Sequence, residues 1–175
     1  MRYRSAILLF LMASTGSALA LDMPARKPGL WELKMSFGNR NIPGQVMRQC
    51  TDATTDKLMN SNFGGAAQQA CSKQNVTRSG GTITVDSLCS FAGATTRSHA
   101  VITGSFDSAY TMQVTTQRTG GPPLPGMAPN GESHVAIAAK WLGPCERGQR
   151  PGDVIMANGM KMNVLELQSR HPPAR

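Results

Sequence analysis

Aromatic side chains are scarce in this 175-residue chain, at 5% of positions, and acidic residues are fewer than basic ones, 10 against 18. The first shortage excludes an aromatic stacking platform, and Lys and Arg are scattered with no run of five or six. A nucleic-acid surface needs one or both of these features, so none is expected. The acids stand singly, with no pair spaced to flank a cleft as glycoside hydrolysis requires. Histidine is limited to His99, His134 and His171, and no G-x-S-x-G elbow offers a nucleophile. A hydrolase based on His99 or His134 is therefore only a weak alternative. The Gly-Gly pairs at Gly80 and Gly120 lack the Lys-Ser/Thr context of a phosphate loop and read as turn formers. No apolar run approaches the roughly 20 residues needed to span a bilayer as a helix.

What is present begins with an address. Arg2 and Arg4 precede the apolar run Ala6 to Met12, and Ala18-Leu19-Ala20 matches a small-x-small cleavage site. Residues 1–20 thus read as a signal peptide, residues 21–168 as a single β-rich domain and residues 169–175 as a flexible tail containing Pro172 and Pro173. No cysteine follows the cleavage point, so no lipid anchor is expected. Removing Arg2 and Arg4 lowers the formal charge from +8 to +6. Export to the periplasm or the exterior places Cys50, Cys71, Cys89 and Cys145 in an oxidising compartment, where they read as two disulfides among three possible connectivities.

The stretch from Cys71 to Cys89 narrows that choice. Two polar, β-prone arms, Gln74 to Arg78 and Thr82 to Asp86, flank Ser79-Gly80-Gly81, and glycine tolerates the positive φ of tight hairpins. With Gly80 as pivot, residues whose numbers sum to 160 face each other and Cys71 lands opposite Cys89, within reach of a cross-strand disulfide. A slip of one residue in the turn would spoil that match. If Cys71 takes Cys89, Cys50 is left to Cys145, and that bridge closes a loop of about 95 residues.

Elsewhere the period is two. Trp31, Leu33, Met35 and Phe37 alternate with Glu32, Lys34 and Ser36, a half-buried antiparallel strand, and a second strand follows near Gln45 to Cys50. Thr51 is expected to cap a short helix from about Asp52 to Asn60. Ser61 to Ala70 reads as a loop. A strand from about Ala94 to Phe106 turns at Asp107-Ser108 into Tyr110, Met112 and Val114. From Thr119 to Gly131, Gly and Pro are dense enough that no strand is expected to persist. In the last core strand Val135, Ile137, Ala139 and Trp141 share one side, and Gly143-Pro144 ends it. Within residues 154–164, Asn158-Gly159 signals a two-residue hairpin, with a short helix capped by Asp153 as the alternative. The sum is an all-β protein: a single antiparallel sheet curled into a half-barrel, barrel or sandwich, with one short helix.

The opening KPGLWE (Lys27 to Glu32), the cysteines Cys50, Cys71 and Cys89, and the WLGPC block ending at Cys145 resemble the domain of unknown function 3617 family, small exported proteins of Gram-negative bacteria. The resemblance spans nearly all of the expected mature chain. It implies an envelope location and a compact β-rich domain, and it supplies no catalytic residue to carry over.

Two binding readings follow from the residues themselves. A curled sheet can enclose an apolar ligand, and Trp31, Met35, Met112 and Trp141 would line such a pocket, the plain alternative being that they are simply core. Methionine is the compositional oddity, with 11 in the chain. Met156, Met160 and Met162 cluster near Asn158-Gly159, and soft thioethers bind Cu(I), although methionine also serves as an adaptable core filler. No organic cofactor is indicated. The expected protein is a monomeric, non-enzymatic binding or envelope-accessory module, with an apolar small molecule or an envelope component as partner.

Overall fold

The computed structural model describes residues 23–38, 43–59, 71–91, 93–122 and 131–170. Alternating sequence produces nine strands: β1 (Gly29–Gly38), β2 (Gln45–Thr51), β3 (Cys71–Ser79), β4 (Thr82–Phe91), β5 (Ala94–Ser105), β6 (Ala109–Gly120), β7 (Glu132–Gly143), β8 (Asp153–Met156) and β9 (Lys161–Asn163). A short helix, α1, occupies 53–59, and a second, α2, spans Val164–Arg170.

All neighbours are antiparallel in one open sheet of order β3-β4-β5-β6-β7-β1-β2-β8-β9. Of the architectures the sequence allows, the described residues form neither a closed barrel nor a sandwich, and they contain two helices where one was expected. Strands β3 to β7 meander in chain order. The β1-β2 hairpin then inserts between β7 and β8, so the earliest strand becomes an interior one, paired to β2 on one side and β7 on the other. Leu30 of β1 opposes both Cys50 and Gly143, and the Cys50–Cys145 disulfide closes over that strand from its two neighbours. The second bridge joins Cys71 to Cys89, and no cysteine is free.

The pivot inferred for that hairpin is half a residue off. Ser79 pairs with Thr82 across a two-residue Gly80-Gly81 turn in which both φ angles are positive, 54° and 83°. Such a turn matches the right-handed twist of the strands it joins, so numbers along the ladder sum to 161 instead of 160. An unbroken ladder would carry Cys71 past Cys89. A bulge between Cys71 and Lys73 absorbs the extra residue and brings the two sulfurs together.

Four further local expectations change. Asp52, and not Thr51, caps α1: its carboxylate accepts the Thr55 N–H (2.8 Å) while the Thr55 hydroxyl accepts the Asp52 N–H (3.0 Å). Thr51 ends β2 instead, with its hydroxyl buried and unpaired among the described residues. Strand β6 continues through Thr119 and Gly120, because Gly120 (φ 71°) lets the chain pass where a Cβ would lie 2.7 Å from the Gly93 carbonyl oxygen. The rest of that glycine- and proline-rich segment, over 123–130, and the loop expected at Ser61 to Ala70 lie outside the described residues. The Asn158-Gly159 hairpin forms in place of the alternative helix, yet its loop is three residues long, since Met156 N–H donates to the Met160 carbonyl (2.9 Å) and only Gly159 takes the left-handed conformation, at 82°. Helix α2 follows directly and runs to Arg170, overlapping the first two residues read as tail.

Candidate functional site

Alternation gives the sheet two unlike faces. On one, Ile83, Ile102, Tyr110, Ala139, Leu33 and Trp31 form the buried core, with Met47, Met112, Val85 and Ile137 packed beside them. On the other stand Glu32, Lys34, His99, Thr111, Thr115, His134 and Lys140, placed by the opposite parity of the same strands.

One end of the apolar face is crossed by residues 23–28. Met23 packs on the core, and Lys27 N–H donates to the Phe106 carbonyl (2.8 Å). Trp31, fully buried, donates its indole N–H to the Lys27 carbonyl (2.8 Å), while Trp141 donates to Pro28 (3.1 Å) beneath the Lys27 ammonium, 3.8 Å from the ring centre. The glycine of KPGLWE has a physical reason: a Cβ at Gly29 would fall 2.4 Å from the Gly143 oxygen and 2.6 Å from the Trp141 indole nitrogen.

Arg26 is buried with Asp56 of α1. Its backbone N–H and its Nε–H both donate to that carboxylate, at 2.9 and 2.6 Å, and its remaining reach goes to Gln49 (2.9 Å). The guanidinium also lies 5.9 Å from the centre of the Trp31 ring. Tyr110 completes this corner, stacked on Phe106 at 4.6 Å and tilted against Trp31 at 5.7 Å. Burial pushes the Tyr110 phenol above its ordinary range, against the opposing pull of nearby Arg26.

The four expected pocket residues share the apolar face. Trp31 opposes Trp141, and Met35 and Met112 both oppose Ile137, from either side of β7. Trp31 is core; Met35, Met112 and Trp141 are only half-buried. A depression of 440 Å³ lies elsewhere, on the polar face over Ala138, bounded by Glu32, Lys34, Thr103, Thr111 and Lys140.

Met156, Met160 and Met162 all belong to the β8-β9 hairpin. The structure adds a residue that sequence reasoning did not single out: Met47 of β2 stands directly opposite Met156. Its position in a strand was legible, but the pairing of β2 with β8, about a hundred residues later, leaves no local signal. The hairpin is pinned by Asp153, whose buried carboxylate receives Lys161 (2.7 Å), Asn163 (2.9 Å) and the Arg150 N–H (3.0 Å). Burial alone would raise the Asp153 pKa, but these donors outweigh it and hold the group below the usual carboxylate value.

Both strand histidines meet carboxylates. His99 Nδ1 lies 2.7 Å from Asp86, and His134 lies 2.7 Å from Glu132 through Nε2 and 3.2 Å from the Thr115 hydroxyl through Nδ1. Ladder pairing aligns Asp86, His99, Thr115 and His134 in one row across β4 to β7. A hydroxyl, a base and an orienting acid are thus within reach of one another, as nucleophilic catalysis requires. They stand, however, on partly exposed sheet surface, and Thr115 and His134 belong to interior strands whose backbone amides are committed to the ladders. Stabilising an oxyanion needs donors that are free to point at it.

These features define a class: a disulfide-clamped open antiparallel sheet with one methionine-rich apolar face. The family model described as a protein of unknown function (DUF3617) matches residues 26–145, and the chain belongs to that family. The matched span takes in β1 to β7 and both disulfides and stops before β8. Comparison with curated proteins and with solved structures finds no match. Among the described residues, no helix is long and apolar enough to cross a membrane.

Proposed function

We propose that the protein is an exported, non-enzymatic binding module of the cell envelope that takes an apolar chain, such as the acyl part of a lipid, on the apolar face of its sheet. The observation that carries this reading is the state of that face. Met35, Met47, Met112, Ile137 and Trp141 are only half-buried by the described residues, although they continue the same surface as the buried core. Methionine lining favours shape-tolerant binding, because an unbranched, polarizable thioether repacks at little cost. The polar corner of Arg26, Gln49 and Tyr110 sits at one end of the face, matching the pattern of an apolar site with few converging polar groups. Two disulfides and the leader-like first twenty residues support an oxidising compartment.

Native mass spectrometry of protein purified from the envelope tests the reading. Retained mass that extracts as lipid, and that falls when Met35 and Met112 are replaced together by Gln, is the expected result. An empty protein that also fails to take up fatty acid from detergent-free solution would refute it.

A further inference from the structure

We propose that the far end of the sheet carries a Cu(I) site made of methionine thioethers, in which Met47 of β2 joins Met156 and Met160 of the β8-β9 hairpin, with Met162 one diagonal step away. Met47 and Met156 are direct ladder partners, and Met156 donates its N–H to the Met160 carbonyl across the hairpin mouth. The three residues therefore occupy consecutive places in one row, across β2, β8 and the residue that leads into β9. Met162 opposes Val154, two positions from Met156 on the same side of β8. Adjacent strands are about 4.8 Å apart, and each methionine has three rotatable bonds, so sulfurs from such a row can converge on one ion.

The chemistry of the set selects the metal. Thioethers are neutral and soft, which suits Cu(I) and gives no purchase to the hard, oxygen-seeking Ca²⁺ and Mg²⁺. All four cysteines are consumed in disulfides, and no group of three His, Cys, Asp or Glu suited to a metal occurs among the described residues.

Burial distinguishes this row from ordinary core. Met160 is 52% exposed, Met47, Met156 and Met162 are half-buried, and β9 is an edge of the sheet, which leaves an ion a lateral path. Met47 Sδ accepts a hydrogen bond from the Gln49 side chain at 3.5 Å, so its sulfur already faces a polar partner. The hairpin also lies beyond the span matched by the family model, which ends at residue 145. The site is thus assembled between a strand inside the matched span and a hairpin outside it. The site shares Met47 with the apolar face proposed above, but the two readings fail separately, because Met35 and Met112 take no part in the metal site and Met156 and Met160 take no part in holding an apolar chain.

The test uses the oxidised protein with both disulfides intact, titrated with Cu(I) against a chromophoric Cu(I) chelator, and with Ag(I) as a redox-inert stand-in followed by methionine-methyl NMR. Expected are uptake of a single equivalent and methyl shifts at Met47, Met156 and Met160 with none at Met112. Losing even an outer-shell partner typically weakens metal binding about 10–100-fold, so replacing the two ladder partners together, Met47→Leu with Met156→Leu, should weaken it by at least about tenfold. Met112→Leu should leave it unchanged. Leucine conserves volume, and the wild-type NMR arm needs no variant to fold. No copper taken from the chelator, affinity unchanged in the Met47/Met156 pair, or silver shifts centred on Met112 would each overturn the site.

Discussion

The two disulfides should differ in worth, and the order follows from the loops they close. The Cys50–Cys145 bridge spans 95 residues and Cys71–Cys89 spans 18. In the chain-entropy treatment, cross-links over these separations restrict the unfolded chain by about 4.7 and about 3.2 kcal/mol respectively. Structure widens the gap. Cys50 is fully buried, at the point where β2 and the end of β7 meet around β1, whereas Cys71 and Cys89 are half-buried on an edge hairpin. Removing the long bridge as Cys50→Ala with Cys145→Ala therefore adds a packing loss that the pair Cys71→Ala with Cys89→Ala escapes. With a urea slope of about 2 kcal/mol per molar, the unfolding midpoint should fall by about 2.3 M or more for the long bridge and about 1.6 M for the short one. Equilibrium urea unfolding by tryptophan fluorescence reads both directly, since Trp31 and Trp141 flank the long bridge. If the short-bridge variant proves equally or more destabilised, with slopes unchanged, loop length and burial do not govern these links and the reasoning fails.

Other outcomes follow from the buried charges. Asp56→Ala leaves the Arg26 guanidinium buried without its counter-charge and should cost about 3–5 kcal/mol by thermal or urea unfolding; a loss under about 1 kcal/mol would mean the pair is open to water. Because the Asp153 pKa is depressed on folding, its contribution is present above the unfolded value near 3.8 and is lost as pH falls through the lower folded value. Asp153→Asn should thus destabilise at pH 7 and show a flatter acid limb in pH-dependent unfolding. The Tyr110 pKa is raised, so the opposite sign holds: stability is kept below pH 10.0 and declines as pH rises through the folded value, and Tyr110→Phe should remove that part of the alkaline loss. Trp31→Ala, at a fully buried site packed on Tyr110, should cost about 3–5 kcal/mol in the same assay.

The amino-acid sequence by itself determined most of the strands, the two faces and the Cys71–Cys89 pair, because each rests on local chemistry, and it reached Cys50–Cys145, 95 positions apart, only by elimination. Alternation set which of Trp31 and Glu32 turned inward, and Gly80-Gly81 with its polar arms set the hairpin that unites Cys71 and Cys89. Even there, the bulge that rescues the pairing was invisible, since a two-residue turn and a ladder irregularity offset each other. The tertiary structure alone decided that β1 and β2 enter between β7 and β8, that Arg26 reaches Asp56, and that Met47 faces Met156. Such contacts join residues about 30 to about 110 positions apart, and no periodicity extends that far: they form because an open sheet must cover its apolar face with whichever segments the chain brings back to it.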